Sequence, residues 1–228
     1  MRHGQLTVAI LHDAAHGDYL IVGAGGLGRE VACNVESALA NTGRRILGFV
    51  DSNADALRQF EHQYPPVVAS PASFVPSPGT LLLMAISDPA EKLKVAAQLE
   101  ERGGVFGSFV HPTATVFRTA TIGRGCILAR DSGVSANATI GNFVLLNGYA
   151  GVAHDASVGD GSTISSYVDI CGRVSIGDEV FVGSHASILP GIRVGARARI
   201  GAGSIVTRHV AVGATVYAMP AKRLMHNE

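Results

Sequence analysis

The chain has 228 residues, 47% of them hydrophobic and only 16% charged. Eighteen Lys and Arg balance eighteen Asp and Glu, so there is no broad basic field for nucleic acid or an anionic membrane. Three cysteines, Cys33, Cys126 and Cys171, show no CxxC spacing, which argues against a disulfide framework and for a reducing, cytoplasmic setting. No apolar run is long enough to span a bilayer, so no membrane insertion is expected.

Residues 1–18 show no signal-peptide pattern and read as an extension of unknown role. Residues 19–110 read as an α/β domain. YLIV is an apolar strand, GAGGLG a glycine turn, and REVACNVESALA a helix. ILGFVDSN and TLLLMAIS are further strands, PAEKLKVAAQLEERGG is a helix with a glycine stop, and VFGSFVHP closes the half. Strands alternating with helices imply a small parallel sheet. In the glycine turn, Gly23, Gly25 and Gly28 would let backbone N–H groups and the helix N-terminus approach a phosphate. Asp51 ends the next strand, where an acid can bind a ribose hydroxyl. NAD binding is the rival reading of this loop, but the half is too short for a second mononucleotide-binding unit.

Residues 111–228 follow a different rule. Every sixth residue from Val116 through Ile122, Leu128 and Val134 to Val206 and Val212 is Val, Ile or Leu, seventeen positions in all. Small or β-branched residues stand two places before each, and Gly often follows. A helix would repeat at about 3.6 and a half-buried strand at 2, so a strict six means a parallel β-helix. Three short strands make a triangular coil of about eighteen residues, with the aliphatic side chains inside the prism. Glycines are expected to relieve backbone strain at the corners. Nearly six coils at about 4.8 Å each give a prism roughly 27 Å tall.

Within this frame GVAHDASVG places Val152 inward and His154 and Asp155 on a corner, projecting outward. An imidazole there is a natural general base. Gly172 lies one coil above His154, and its bare backbone would leave room for a thioester arm beside the base. Arg173, one coil above Asp155, is a second candidate partner for that carboxylate.

The hexapeptide prism resembles the left-handed parallel β-helix of hexapeptide-repeat acyltransferases. Joined to a glycine-loop domain, it is similar to the bacterial nucleotide-sugar N-acetyltransferases and the related sialic-acid O-acetyltransferases. The handedness, a homotrimer and the cosubstrate acetyl-CoA are what the resemblance implies. It also implies roles. In NGYAGVAHD, Asn147 belongs to the catalytic set, His154 takes the proton of the attacking amine, and Asp155 orients the ring. Gly172, Gly201 and Ala202 would contact coenzyme A, and Lys222, in the terminal YAMPAKRL, its phosphates. Ala218 stands there where the family has Gly. Gly23, Gly25, Gly28 and Asp51 would hold a nucleotide-linked amino sugar. Leu27 and Ser52 depart from relatives that carry His and Asp at those places, so the sugar and the base stay open.

The expected reaction is acetyl transfer from acetyl-CoA to the amine of a nucleotide-linked sugar, as in polysaccharide biosynthesis, with no metal. O-acetylation of a sugar hydroxyl and a non-catalytic sugar-nucleotide scaffold remain alternatives. A zinc hydratase on the same prism would need three His, two of them close in sequence. His154, His185 and His209 lack that spacing.

Overall fold

The structure, a computed structural model, describes residues 10–11, 17–40, 43–60 and 62–219. A two-residue strand β1 (Ile10–Leu11) comes first. The α/β half then runs β2 (Asp18–Val22), α1 (Gly26–Leu39), β3 (Ile46–Val50), β4 (Val67–Ala69), β5 (Thr80–Met84), α2 (Pro89–Glu100) and β6 (Val105–Phe106). Its five-stranded sheet has the order β4-β3-β2-β5-β6, and every pair is parallel. The chain therefore leaves β2 towards one edge and returns at β5 towards the other. The loop after β2, which carries the glycines, opens at this switch point, where such sheets take their ligands.

The apolar runs give the strands because they are buried from both sides. Tyr19, Ile21, Leu81, Leu83 and Phe49 pack with α1, while Leu20, Val22, Leu82 and Met84 pack with α2. The α2 helix starts where Asp88 caps it, its carboxylate accepting a hydrogen bond of 3.0 Å from the Glu91 N–H, with Pro89 at the first position.

β7 (Ser108–Val110) begins the prism and pairs antiparallel with β1. From there the chain is a left-handed parallel β-helix of hexapeptide repeats. Its three faces belong to sheets of eight, six and five strands, the first counting β1. Each two-residue rung pairs in parallel with the rung eighteen positions on, as Gly151 with Asp169 and Val152 with Ile170. Leu128, Ile164, Val182 and Ile188 are fully buried along the axis.

The repeat of six breaks at its last member. The final coil is two residues short: Val194 bridges to Val210 and Ile200 pairs with Val216. Val212 therefore falls on a corner and is 63% exposed, so the inward series ends at Val206.

The glycine expectation holds at Gly125, Gly161, Gly191 and Gly203, which have a left-handed backbone at corners, but not at every glycine. Gly123 and Gly177 have no left-handed backbone. They are glycines because stacked coils approach too closely: a Cβ on Gly123 would lie 2.6 Å from the Gly141 carbonyl oxygen, and one on Gly177 the same distance from the Ala196 nitrogen. The left-handed positions are the second residues of the corners, and many are not glycine, as at Asn137, Tyr149, Asp155, Tyr167, Arg173 and His185.

The two halves share cores. Phe109, Ile127 and Leu145 of the prism join the α1 side, and Phe143 joins the α2 side. Lys92 of α2 is buried at 1% exposure and reaches across to the prism. Its Nζ donates to the carbonyls of Phe143 (3.1 Å) and Ser162 (3.3 Å) and to Thr163 Oγ1 (2.9 Å). Burial pushes this lysine down to about 7. Three acceptors and no nearby donor nevertheless suit an ammonium, because Thr163 spends its own proton on the Ser87 carbonyl. No helix among the described residues is long and apolar enough to cross a membrane.

Candidate active site

The first of two candidate regions is the glycine loop. Gly23 has φ +105°, and a Cβ there would lie 2.8 Å from the Ala85 carbonyl oxygen. A Cβ on Gly28 would run into the Gly23 carbonyl, so α1 can start this close to β2 only with glycine there. Gly25 is the N-cap of α1, without a side-chain cap, and the first turn carries no acidic residue. No side chain of the helix's own first turn compensates the positive end of its dipole.

Asp51 faces the loop. Its Oδ2 accepts from the Ala24 N–H at 2.7 Å and its Oδ1 from the Asn53 N–H at 2.8 Å. Both carboxylate oxygens hold loops in place, a task that its position after β3 did not reveal. Between α1 and the prism lies a cleft of about 550 Å³, lined among others by Gly26, Arg29, Tyr64, Asn147, Tyr149 and Tyr167.

The second region is the corner of His154 and Asp155. His154 Nδ1 and Asp155 Oδ2 are 2.8 Å apart, with side-chain exposures of 56% and 48%. Asp155 Oδ1 accepts from Asn137 Nδ2 at 3.1 Å. The bonds to His154 and Asn137 hold the Asp155 carboxyl below its ordinary range, and the Arg173 charge helps from farther off. His154 is thus the partner of Asp155. Among the described residues, His154 Nε2 has no hydrogen-bond partner.

Gly172 is close to the base, as its place one coil above predicts, but the gap there is not empty. A Cβ on Gly172 would stand 2.7 Å from both Cε1 and Nε2 of His154, so the imidazole itself lies in that space. Gly172 has no left-handed backbone, so it is a close-approach glycine.

The remaining predicted residues stand elsewhere. Asn147 lines the cleft beside α1, one corner before His154. Gly201 and Ala202 follow the rung Arg199–Ile200 on the face and corner that carry Asn147, several coils up. Lys222 lies outside the described residues. One chain therefore brings together His154, Asp155 and Gly172, and separately Asn147 and the start of α1. Sequence reading missed Asn137. Its signal was the eighteen-residue offset below Asp155, the same offset that found Gly172. Among the described residues no group of three or more His, Cys, Asp or Glu could hold a metal ion.

The family model for the hexapeptide repeat of succinyl-transferase matches residues 173–208. No curated protein sequence matches the chain. Solved structures do. The acetyltransferase domain of PglB from Neisseria gonorrhoeae FA1090, in complex with acetyl coenzyme A, has a TM-score of 0.78 at 26% identity, over 92% of this chain and all of its own. PerB from Caulobacter crescentus, in complex with CoA and GDP-perosamine, has 0.76 at 25% identity, over 94% of this chain and 99% of its own. WeeI from Acinetobacter baumannii AYE has 0.77 at 26% identity, over 90% and 99%. With a glycine-loop domain leading into a hexapeptide prism, and with these structures as its neighbours, the chain is similar over nearly its whole length to nucleotide-sugar N-acetyltransferases built on hexapeptide repeats.

Proposed function

We propose that the protein transfers the acetyl group of acetyl-CoA to the amine of a nucleotide-linked amino sugar, with His154 as general base. The observation that carries this reading is the 2.8 Å contact of His154 Nδ1 with Asp155 on an exposed corner. An ionised Asp155 keeps a proton on Nδ1, which leaves the Nε2 lone pair to act. The amine nitrogen attacks the thioester carbonyl carbon, a C–N bond forms, and Nε2 takes the proton that nitrogen loses. Backbone N–H groups stabilise the oxyanion. The C–S bond then breaks, and the CoA thiolate takes the proton back from the imidazolium.

The α/β domain, residues 19–110, holds the sugar nucleotide. Its phosphates sit on the open N-terminus of α1, and the cleft beside Arg29, Asn147 and Tyr149 takes the rest. PerB, solved with CoA and GDP-perosamine, supports both ligand classes.

His154 and the cleft lie on different corners of one prism, so two copies complete a site. His154, Asp155 and Gly172 of one protomer meet Asn147, Gly201, Ala202 and the cleft of its partner. Three copies around one axis close that arrangement into a homotrimer with three sites. The test is to incubate the protein with acetyl-CoA and a panel of nucleotide-linked amino and hydroxy sugars and to follow free thiol. Thiol release with an amino sugar supports the reading. Release with hydroxy sugars alone makes the protein an O-acetyltransferase, and binding without release makes it a scaffold.

A further inference from the structure

The corner that carries His154 is a column of residues eighteen apart: Thr119, Asn137, Asp155, Arg173 and Gly191. Three of its members form one hydrogen-bonded line into the imidazole. Thr119 Oγ1 accepts the Asn137 backbone N–H at 3.1 Å, Asn137 Nδ2 donates to Asp155 Oδ1 at 3.1 Å, and Asp155 Oδ2 meets His154 Nδ1 at 2.8 Å.

A carboxylate rotates freely about its last bond unless both oxygens are engaged. Here each oxygen has one partner, and the two lie on different coils. Asp155 cannot give Asn137 its second oxygen without turning the first towards His154. The left-handed backbone favours Asn at 137 but does not set where its amide points. Its φ of 60° is matched at Asp155 and at Arg173, so this corner accepts residues of quite different chemistry. A left-handed corner needs no amide directed at the next coil.

We infer that Asn137 is a positioning residue for acetyl transfer, its side-chain amide fixing the Asp155 carboxylate so that His154 carries its proton on Nδ1 and presents Nε2. This rests on the reading of His154 as the base. Asn137 touches no reacting atom. It acts through Asp155, which faces His154 on its own corner, Asn137 from the coil below and Arg173 from the coil above.

Two substitutions keep the left-handed backbone and change only the amide. Asn137→Gly removes the donor. Asn137→Asp keeps the shape and puts a second carboxylate against Asp155. The order of kcat should be parent, then Gly, then Asp. Gly should lose about three- to ten-fold, the range for one hydrogen bond to a charged group, and Asp should lose more. KM for both substrates and the melting temperature of Asn137→Gly should stay at parent values. In ¹⁵N spectra of the ligand-free protein, the neutral His154 ring should shift from the Nδ1–H towards the Nε2–H tautomer in both variants.

Parent kcat together with a parent tautomer in Asn137→Gly would overturn the inference. So would equal losses in Gly and Asp that track a lower melting temperature, since a structural role ignores the sign of the charge. His154→Ala run alongside separates the two claims. If it keeps parent turnover, the base reading fails, while the tautomer shift still decides whether Asn137 positions the ring.

Discussion

Two corners of the prism share one backbone and differ in what they carry. On the His154 corner, Asn137, Asp155 and Arg173 have φ near 60°, and on the neighbouring corner so do Tyr149, Tyr167 and His185. The first holds a polar line of short side chains ending at an exposed imidazole. The second stacks three flat rings at 4.8 Å, with 4° between planes, beside the cleft of the α/β half. The fold therefore sets a spacing and leaves the chemistry to single residues. A coil repeat of about 4.8 Å aligns whatever side chains it is given, whether a hydrogen-bond relay or an aromatic ladder. Function on such a scaffold is read from columns eighteen residues apart rather than from neighbours in sequence.

The largest change should come from the polar corner. His154→Ala is expected to lower turnover by roughly 10²–10⁴, the usual range for a positioned base, with the melting temperature unchanged because the side chain is exposed. Steady-state kinetics with thiol detection checks it. On the other corner the expected change is in binding. Gly25 has φ −70°, and a Cβ there meets nothing within 4 Å, so Gly25→Asp fits the fold. Its carboxylate would cap α1 from the place proposed for a phosphate. Affinity for the sugar nucleotide should fall about a hundred-fold by calorimetry, the equivalent of losing about 2.7 kcal/mol. Stability should hold or rise by a few tenths of a kcal/mol. That pair of outcomes separates binding from folding.

A smaller effect is expected at Gly172. Alanine there suffers no backbone strain but puts a methyl group 2.7 Å from the His154 ring, which must move aside. Turnover should drop about ten-fold, as for loss of a well-placed base geometry. KM for acetyl-CoA changes little if the ring, rather than the cofactor, fills that space, and a KM effect without a kcat effect would restore the thioester arm to it.

The least visible change in activity, and a clear one in stability, concerns the seam between the halves. Lys92→Met takes their donor from the Phe143 carbonyl and the Thr163 hydroxyl oxygen, while the Ser162 carbonyl keeps the Leu145 N–H, a loss worth about 1–3 kcal/mol in denaturant unfolding. The sign with pH is defined. Burial lowers the folded-state value of Lys92 to about 7, so the unfolded chain binds more protons between there and the ordinary lysine range. Stability from this group is full above that range and falls as pH drops towards 7. In Lys92→Met that slope should vanish.

The sequence displays the prism openly because one steric rule repeats: an aliphatic residue every sixth place is the condition for filling the axis. It displays Gly23 and Gly28 for the same kind of reason, since a Cβ at either place meets backbone. It hides what depends on long-range approach. Val212 keeps the six-residue beat yet lies outside, because the shortened last coil moves the inward place to Val210 and Val216. The bond from the Ala24 N–H to Asp51 could not be read from the place of Asp51 after β3. Lys92 lies in a stretch that reads only as helix, and it is the buried link between halves, its partners 51 to 71 residues away. Local pattern carries no information about such partners. The residues proposed for the site were singled out in sequence, but their division between two corners follows only from how the coil turns.

Mixing two variants tests whether the proposed site is divided between protomers. His154→Ala and Gly25→Asp chains are co-expressed in equal amounts, purified as mixed oligomers and assayed for thiol release at a sugar-nucleotide concentration far below the weakened affinity of Gly25→Asp, where each variant alone is nearly silent. If one chain supplies the base and its partner the phosphate cleft, random assembly should restore about a quarter of the parent activity. If each site is complete within one chain, no site in the mixture has both parts, and activity that stays at the level of the single variants would contradict the account.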